Sequence, residues 1–308
     1  MRYALIFAGQ GSQSVGMGKE FYDSIPAAKA LLDDASLRLG IDFKSLLFEP
    51  NDDLSKSEFT QPAIVLNSLM AYEALRSRMS LNPVFALGHS LGEFSALAVS
   101  GAFGFVDAIG LVNLRGKLMQ KDCDGKGAGM MVVLGLDDQS VSRICEQARG
   151  EGKQVYAANF NCDGQVVIAG LRDDLASCES VFKQSGAKRA MLLDMSVASH
   201  CPLLDTASKT LVGELEKVMA GEFSPVISNV TACAYSDKAK ALELLKAQLV
   251  SPVLYKQSIQ NVQDEVDVFI ELGASVLKGI NKKITNKPTL SITDIASLDA
   301  ALVELEGA

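Results

Sequence analysis

The chain has 308 residues, of which 48% are hydrophobic and 21% charged, and a formal net charge of −8. This length predicts one large domain with an inserted or appended smaller one, and the negative charge disfavours a general nucleic-acid-binding surface. No apolar run approaches the ~18 residues that cross a bilayer, so we expect no membrane segment.

Six scattered cysteines form no CxxC pair and show no zinc-ligand spacing. We therefore expect no metal site, and we interpret these cysteines as small buried side chains in a reducing, cytoplasmic environment. The N-terminal residues 1–8 are too few for a secretory signal and lack a cleavage signature, so they predict an opening strand.

Short apolar runs alternate with helical patterns in the first part of the chain. The predicted strands cover 5–8 and 84–87, and the predicted helices cover 26–39, 60–78, 91–100 and 106–120. Thr60 is the expected N-cap of its helix, and Pro62 is tolerated in the first turn. Strands that alternate with helices favour a parallel sheet covered on both faces.

After Gly125-Lys126-Gly127 the pattern changes to strand, helix, two strands, helix and strand. The predicted strands cover 130–136, 155–159, 165–169 and 189–195, and the predicted helices cover 137–149 and 173–184. This βαββαβ order is that of a ferredoxin-like domain. We therefore predict a small domain at 126–197, inserted into a large α/β domain formed by 1–125 and 198–308, with a ligand cleft between them.

The segment Gly88-His89-Ser90-Leu91-Gly92 is the strongest catalytic signal in the chain. It lies between a predicted strand and a predicted helix, which is the context of a nucleophile elbow. The glycines permit a sharp turn that exposes the Ser90 hydroxyl, and the helix that follows directs N–H groups toward developing negative charge. Ser90 is therefore the candidate nucleophile.

A serine nucleophile needs a base, and the chain contains only two histidines. His89 is adjacent to Ser90, and side chains diverge at such a turn, so we expect an orienting or structural role for it. His200 follows the last strand of the inserted domain, where the chain re-enters the large domain, and is the candidate base. Asp194, Asp205 or an amide oxygen of the main chain or a side chain remain alternatives for orienting its imidazole.

Arg115 falls on the apolar face of its predicted helix, together with Leu111, Val112 and Met119. An inward-facing guanidinium needs an anion, because burying it unpaired is costly. Two interpretations stay open at this point. Arg115 either extends past the rim of the core or clamps a substrate carboxylate through two hydrogen bonds.

Gly9-Gln10-Gly11 follows the first predicted strand but lacks the third glycine of a dinucleotide-binding turn, since Ser14 stands there. A glycine loop at the carboxyl end of a strand can donate backbone N–H groups to an anion. The N–H groups of Gln10 and Leu91 are therefore a candidate oxyanion hole.

Taken together, these motifs resemble the malonyl-CoA:acyl carrier protein transacylase family, which is related to the acyltransferase domains of fatty-acid and polyketide synthases. The matching segments follow the family's order along almost the whole chain. They are Gly9-Gln10-Gly11-Ser12-Gln13, Thr60-Gln61-Pro62-Ala63, Gly88 to Glu93, Arg115, Asn159, Gly164 to Gly170, Ser199-His200, and Gln248 before Ser251-Pro252-Val253.

The resemblance implies an α/β-hydrolase-like core with a parallel sheet and an inserted ferredoxin-like small domain. It implies Ser90 as nucleophile and His200 as base, with the main-chain carbonyl of Gln248 orienting His200. It also implies that Gln10 and Leu91 supply the oxyanion hole.

The resemblance further implies that Arg115, Gln10, His89 and Asn159 bind substrate. The expected reaction moves a malonyl group from malonyl-CoA to the phosphopantetheine thiol of acyl carrier protein by a ping-pong mechanism through an ester on Ser90, and it supplies fatty-acid elongation. The expected partners are malonyl-CoA and acyl carrier protein, without a cofactor, nucleic acid or membrane. Because carrier proteins are acidic, the candidate docking charges are Lys188, Arg189, Lys278, Lys282 and Lys283.

Two other functions are alternatives to malonyl transfer. A serine hydrolase would use the same elbow, but its histidine usually comes late in the chain, whereas more than a third of this chain follows His200. A catalytically inactive binding module would be expected to lack Ser90, His200 or Arg115, and all three are present.

Overall fold

The computed structural model describes residues 1–306, which form 10 strands and 13 α-helices. The first part of the chain contains β1 (Tyr3–Phe7), α1 (Lys19–Ser24), α2 (Pro26–Leu39), α3 (Phe43–Phe48), α4 (Ser57–Arg76), β2 (Phe85–Gly88), α5 (Gly92–Val99) and α6 (Phe105–Cys123). The middle part contains β3 (Ala128–Leu134), α7 (Asp138–Gly150), β4 (Val155–Cys162), β5 (Gln165–Leu171), α8 (Arg172–Gln184) and β6 (Arg189–Leu192).

The last part of the chain returns to helices and strands of a larger layer. It contains α9 (Asp205–Val218), β7 (Glu222–Ile227), β8 (Ala234–Asp237), α10 (Lys238–Gln248), α11 (Tyr255–Val262), β9 (Val268–Leu272), α12 (Leu277–Asn281), β10 (Thr289–Ile292) and α13 (Ile295–Glu306). Within residues 1–306, no helix is both long and apolar enough to span a membrane.

A six-stranded sheet with the order β10-β9-β1-β2-β7-β8 forms the larger layer. The first five strands are parallel, and β8 pairs antiparallel with β7. This confirms the predicted α/β architecture with a parallel sheet. In the register of β1 and β2, Phe7 is paired with Gly88, so the Gly9–Gln10 loop and the Ser90 turn leave the sheet side by side at its carboxyl edge.

The middle part folds into a separate four-stranded sheet with the order β4-β5-β3-β6, in which all neighbours are antiparallel. Its elements follow the predicted order, although the predicted last strand ends at Leu192 and not at residue 195. The smaller sheet meets the segment between α10 and α11 where Asn159 forms a parallel bridge to Val253. There the Phe160 N–H donates to the Val253 carbonyl at 2.9 Å, and the Val253 N–H donates to Ala158 at 2.8 Å.

The long helix α4 begins three residues before the predicted start, so the expected N-cap role of Thr60 is wrong. Thr60 lies inside the helix, and its hydroxyl donates to the Leu54 and Lys56 carbonyls at 2.7 and 2.9 Å. Pro62 cannot donate to the Glu58 carbonyl, as a helical N–H would. That carbonyl accepts a hydrogen bond of 2.7 Å from Asn113 of α6 instead. The contact between α4 and α6 therefore supports a helix that begins at Ser57, before the start predicted from the sequence at Thr60.

Candidate active site

Ser90 occupies a sharp turn between β2 and α5 and has a φ of 51°, in the left-handed region that few non-glycine residues adopt. Its N–H donates to Asn229 Oδ1 at 2.6 Å, and Asn229 Nδ2 donates to the Gly88 carbonyl at 2.7 Å. These two bonds brace both sides of the turn. The strained conformation exposes the Ser90 hydroxyl, as a nucleophile elbow requires.

The two glycines of the elbow are required by close backbone contact. A Cβ on Gly88 would lie 2.0 Å from the Gly92 carbonyl carbon, and a Cβ on Gly92 would lie 2.0 Å from the Phe7 carbonyl oxygen. No side chain can be moved to relieve either clash, because the opposing atoms are backbone. The glycines thus allow α5 to pass directly over the ends of β1 and β2.

We expect Gly88→Ala to lower the free energy of unfolding by about 3 kcal/mol or more, because the added methyl overlaps backbone that cannot move. Equilibrium unfolding in urea measures this loss. Gly213→Ala is the matched control, since a Cβ on that helical glycine meets nothing within 4 Å, and it should stabilise the chain by up to about 1 kcal/mol. Equal stabilities of the two variants would contradict the steric argument.

Ser90, His200 and Gln248 form a continuous hydrogen-bonded chain. Ser90 Oγ lies 2.7 Å from His200 Nε2, and His200 Nδ1 lies 2.7 Å from the Gln248 carbonyl oxygen. Because a carbonyl oxygen only accepts, Nδ1 carries the proton and Nε2 is free to accept from Ser90. The motifs alone left the orienting partner open, while the family resemblance implied the Gln248 carbonyl, and that carbonyl lies beside Nδ1. Asp205 pairs with Lys209 on α9 instead.

Burial keeps His200 in the neutral form that a base needs. Its side chain is 3% exposed, and burial, followed by the positive charge of Arg115, lowers its pKa from 6.5 to about 3. Burial also lowers the pKa of His89. Both histidines of the chain therefore stay neutral in the folded protein at pH values where the unfolded chain would protonate them.

We expect the free energy of unfolding to fall as the pH drops below about 6.5, because the unfolded chain then binds protons that the folded histidines exclude. Each such proton contributes a slope of about 1.4 kcal/mol per pH unit. The share of His200 is complete above pH 6.5 and is lost as the pH falls toward its folded pKa of about 3. Urea unfolding at several pH values measures the slope, and His200→Gln should reduce it by up to one proton. An unchanged slope in that variant would contradict the prediction.

Arg115 reaches the site from α6 and is only 1% exposed. Nη1 donates to Gln61 Oε1 at 2.9 Å, while Nη2 donates to Ser90 Oγ and Gln248 Oε1, both at 3.2 Å. All three partners are neutral, and within residues 1–306 the buried Nε has no hydrogen-bond partner. Burial lowers the pKa of Arg115 to about 10, which leaves it charged at neutral pH. The guanidinium is thus inside the protein, beside Ser90, and able to bind an anion.

His89 turns away from Ser90 toward the smaller sheet. Its Nε2 lies 2.7 Å from Asn161 Oδ1, and its ring packs against Tyr255 with the ring centroids 5.4 Å apart. Asn159 precedes Asn161 on β4 and is buried. His89 and Asn159 therefore lie where β4 approaches the elbow.

The N–H groups of Gln10 and Leu91 are free to bind an oxyanion. Gln10 follows β1 and Leu91 follows Ser90, and neither backbone N–H donates to another group in the described part of the chain. The Gly9 position makes this closeness possible, because a Cβ there would lie 2.5 Å from the His89 carbonyl oxygen. The Gln10 side chain is held by a bond of 3.2 Å from Nε2 to Ser57 Oγ.

A cleft of about 1130 Å³ runs along the boundary between the two sheets. Gln10 lines one end, and the connecting segments at 123–128 and 193–197 line its walls. Its basic side chains are Lys56, Lys117, Lys121 and Arg172. A cleft therefore lies between the two parts of the chain and reaches the loop beside the elbow, although Ser90, Arg115 and His200 are not among the residues that line it.

Four residues around the site were not assigned a role from the sequence. They are Gln61, Glu93, Asn229 and Tyr235. Gln61 and Glu93 lie within quoted motifs, and Glu93 is the only charged side chain on the apolar helix α5, which could have marked it. Asn229 follows β7 and Tyr235 lies on β8, and both lack any local signal because their partners are more than 130 residues away in the chain.

The cysteines have no chemical role in this site, although Cys123 lines the cleft. All six are free, and five are buried as expected, but Cys233 is exposed. In residues 1–306, no group of three or more His, Cys, Asp or Glu side chains is arranged to hold a metal ion.

Comparison with known proteins gives a consistent family. A sequence model of the acyl transferase domain matches residues 4–295. The malonyl CoA-acyl carrier protein transacylase of Bacillus subtilis is 36% identical over 310 residues, covering 99% of this chain and 98% of that protein. The crystal structure of malonyl-CoA:acyl carrier protein transacylase from Helicobacter pylori superposes with a TM-score of 0.96 at 49% identity, over 99% of each chain.

One chain of a solved complex is similar to this protein over its whole length. The complex contains a type II PKS acyl-carrier protein bound to its malonyl-transacylase, and the likeness has a TM-score of 0.94 at 35% identity, with 100% of each chain covered.

Proposed function

Because this chain belongs to the acyl transferase domain family, we propose that it transfers a malonyl group from malonyl-CoA to the phosphopantetheine thiol of acyl carrier protein and so supplies fatty-acid elongation. The relatives named for this reaction cover almost its full length. One observation carries the proposal. His200 and Arg115 both lie within hydrogen-bonding distance of the Ser90 hydroxyl.

The proposed reaction has two half-reactions through an ester on Ser90. In the first, Ser90 Oγ attacks the thioester carbonyl carbon while His200 Nε2 takes its proton, and the tetrahedral oxyanion forms against the N–H groups of Gln10 and Leu91. The C–S bond then breaks, and the coenzyme A thiolate leaves with the proton from His200. In the second, the carrier-protein thiol attacks the Ser90 ester in the reverse sense.

The acyl group is selected by charge. In our proposal Arg115 binds the malonyl carboxylate in two hydrogen bonds, which suits its planar guanidinium, while His89 and Asn159 contact the rest of the substrate. Coenzyme A and the carrier protein both present a pantetheine thiol, so one thioester replaces another and no cofactor is required. Malonyl-CoA itself is the only small molecule that the reaction needs.

The finer fold assignment is part of the same proposal. The sheet order β4-β5-β3-β6 and the element order βαββαβ support a ferredoxin-like small domain at 126–197, and the parallel sheet with its elbow supports an α/β-hydrolase-like core formed by 1–125 and 198–308. The six free cysteines support action in the cytoplasm.

We propose that the acidic carrier protein docks on two groups of basic residues, one at the start of β6 and one on and after α12. Lys188 and Arg189 are exposed at the start of β6, and Lys282 and Lys283 are exposed just after α12, with Lys278 partly buried on it. These positions provide positive charge on a chain whose net charge is −8.

One mass-spectrometric experiment tests the proposed function. The protein is incubated with malonyl-CoA and divided into two portions. One portion is digested and searched for a malonyl adduct on Ser90, and carrier protein is added to the other, undigested portion before its mass is measured. We expect the adduct to form and to move to the carrier protein. A serine hydrolase would release free malonate equally well with and without carrier protein, and that result would refute the proposal.

A further inference from the structure

A buried carboxylate that the proposed mechanism does not use lies directly behind the catalytic groups. Glu93 is on the first turn of α5, three residues after Ser90, and is 1% exposed. Oε1 accepts from the Tyr235 hydroxyl at 2.7 Å, while Oε2 accepts from Gln248 Nε2 at 2.7 Å and from the Asn229 N–H at 3.2 Å. A carboxylate buried at this depth is retained only with several donors.

Two of these donors, Gln248 and Asn229, also form hydrogen bonds with the catalytic groups. Gln248 places its carbonyl oxygen against His200 Nδ1 and its side-chain oxygen against Arg115, and its Nε2 also donates to the Ser90 carbonyl at 3.1 Å. Asn229 braces the elbow through the Ser90 N–H. Ser90, His200 and Arg115 therefore each connect to Glu93 through one intervening residue.

We infer that Glu93 is a positioning residue, which fixes Gln248 and Asn229 so that His200 and the elbow keep the geometry needed for attack by Ser90. This inference deepens the proposed function and rests on it. Glu93 acts through the hydrogen bonds that its carboxylate accepts, since two of its three donors are N–H groups that cannot reverse their role.

The donors are arranged to keep Glu93 an acceptor. Burial raises the pKa of Tyr235 well above its usual range, and Glu93 raises it further, so that hydroxyl stays protonated. Burial also raises the pKa of Glu93, but the hydrogen bonds from Gln248, Tyr235 and Asn229 oppose that rise. If the Glu93 carboxylate is removed or shortened, Gln248 Nε2 donates only to the Ser90 carbonyl. The main chain of Gln248, which orients His200, is then less firmly held.

Three substitutions of Glu93 separate its possible roles. Glu93→Ala removes the acceptors and should lower kcat for malonyl transfer by about 30- to 100-fold. Glu93→Asp is one methylene shorter, cannot reach both Gln248 and Asn229, and should lower kcat by about 10-fold. Glu93→Gln keeps an oxygen for both N–H groups and can donate to the Tyr235 oxygen, so it should stay within about 3-fold. In all three, KM for malonyl-CoA should change by less than about 2-fold, because the side chain contacts no substrate.

Glu271→Ala is the matched control for a purely structural effect. Glu271 is also fully buried, and it accepts three N–H hydrogen bonds of 2.8, 2.8 and 2.9 Å from Val276, Leu277 and Lys278. Its loss should lower the melting temperature without slowing the folded protein. Two results would overturn the inference. They are a Glu93→Gln variant as slow as Glu93→Ala, which would assign the effect to charge, and a Glu93→Asp variant as fast as wild type.

A second readout keeps this test separate from the proposed function. The rate at which a fluorophosphonate labels Ser90 depends on the Ser90–His200 geometry and not on a malonyl substrate. We expect labelling to slow in the order Gln, Asp, Ala. If the wild-type protein were labelled but transferred no malonyl group, the proposed function would be refuted. If all variants were labelled at equal rates, only the positioning role of Glu93 would be refuted.

Discussion

Replacement of Ser90 by alanine is expected to abolish the malonyl adduct and to reduce kcat for transfer by at least about 10⁴-fold. The hydroxyl is the only group of the site that forms a covalent bond in the proposed reaction, and the 2.7 Å contact with His200 Nε2 activates it. Without it, the oxyanion donors and Arg115 remain, so binding of malonyl-CoA should persist. Steady-state kinetics and intact-protein mass measure these outcomes.

The control for this substitution lies on the same helix. Ser95 is fully buried on α5, and its hydroxyl has no hydrogen-bond partner in residues 1–306. Ser95→Ala therefore removes an equivalent group next to the site without removing a nucleophile, and kcat should stay within about 2-fold of wild type. A malonyl adduct that survives in Ser90→Ala would show that another residue carries the acyl group.

The parts of this fold that could be predicted from sequence are those with local signals. The strand before Ser90 and the glycines around it predicted the elbow. The inward position of Arg115 on its helix predicted a buried guanidinium. Each of these depends on residues close together in the chain, where periodicity and turn chemistry are informative. The pairing of Ser90 with His200 followed because the chain offers only two histidines.

The contacts that support the site could not be predicted in this way. Only the family resemblance, and no local pattern, implied the Gln248 carbonyl beside His200. Asn229 meets Ser90 from a segment 139 residues away and was not assigned a role at all. Such contacts depend on the order of strands in the sheet, which pattern alone does not specify. The failed N-cap at Thr60 has a similar cause, because α4 is lengthened by its packing against α6 and not by a capping residue.

These supporting contacts also explain how a charged group can stay beside the nucleophile without a substrate. Arg115 donates to three neutral oxygens, and Gln248 links it to the carboxylate of Glu93. Glu93 raises the pKa of Arg115 against the effect of burial. The site therefore stabilises a cation with a distant counter-ion and leaves part of the guanidinium free for an incoming carboxylate.

Substitution of Arg115 by alanine is thus expected to lower kcat/KM for malonyl-CoA by about 10²- to 10³-fold, because truncating one partner of a buried, hydrogen-bonded charge pair costs about 2–5 kcal/mol. Transfer of acetyl or propionyl groups should change by less than about 5-fold, since neither carries a carboxylate. Arg115→Lys keeps the charge but not the planar fork, so it should recover only part of the malonyl activity. Kinetics with malonyl-CoA and acetyl-CoA as parallel donors decide the question: an equal loss on both would mean that Arg115 supports the fold or Ser90 and does not select the acyl group.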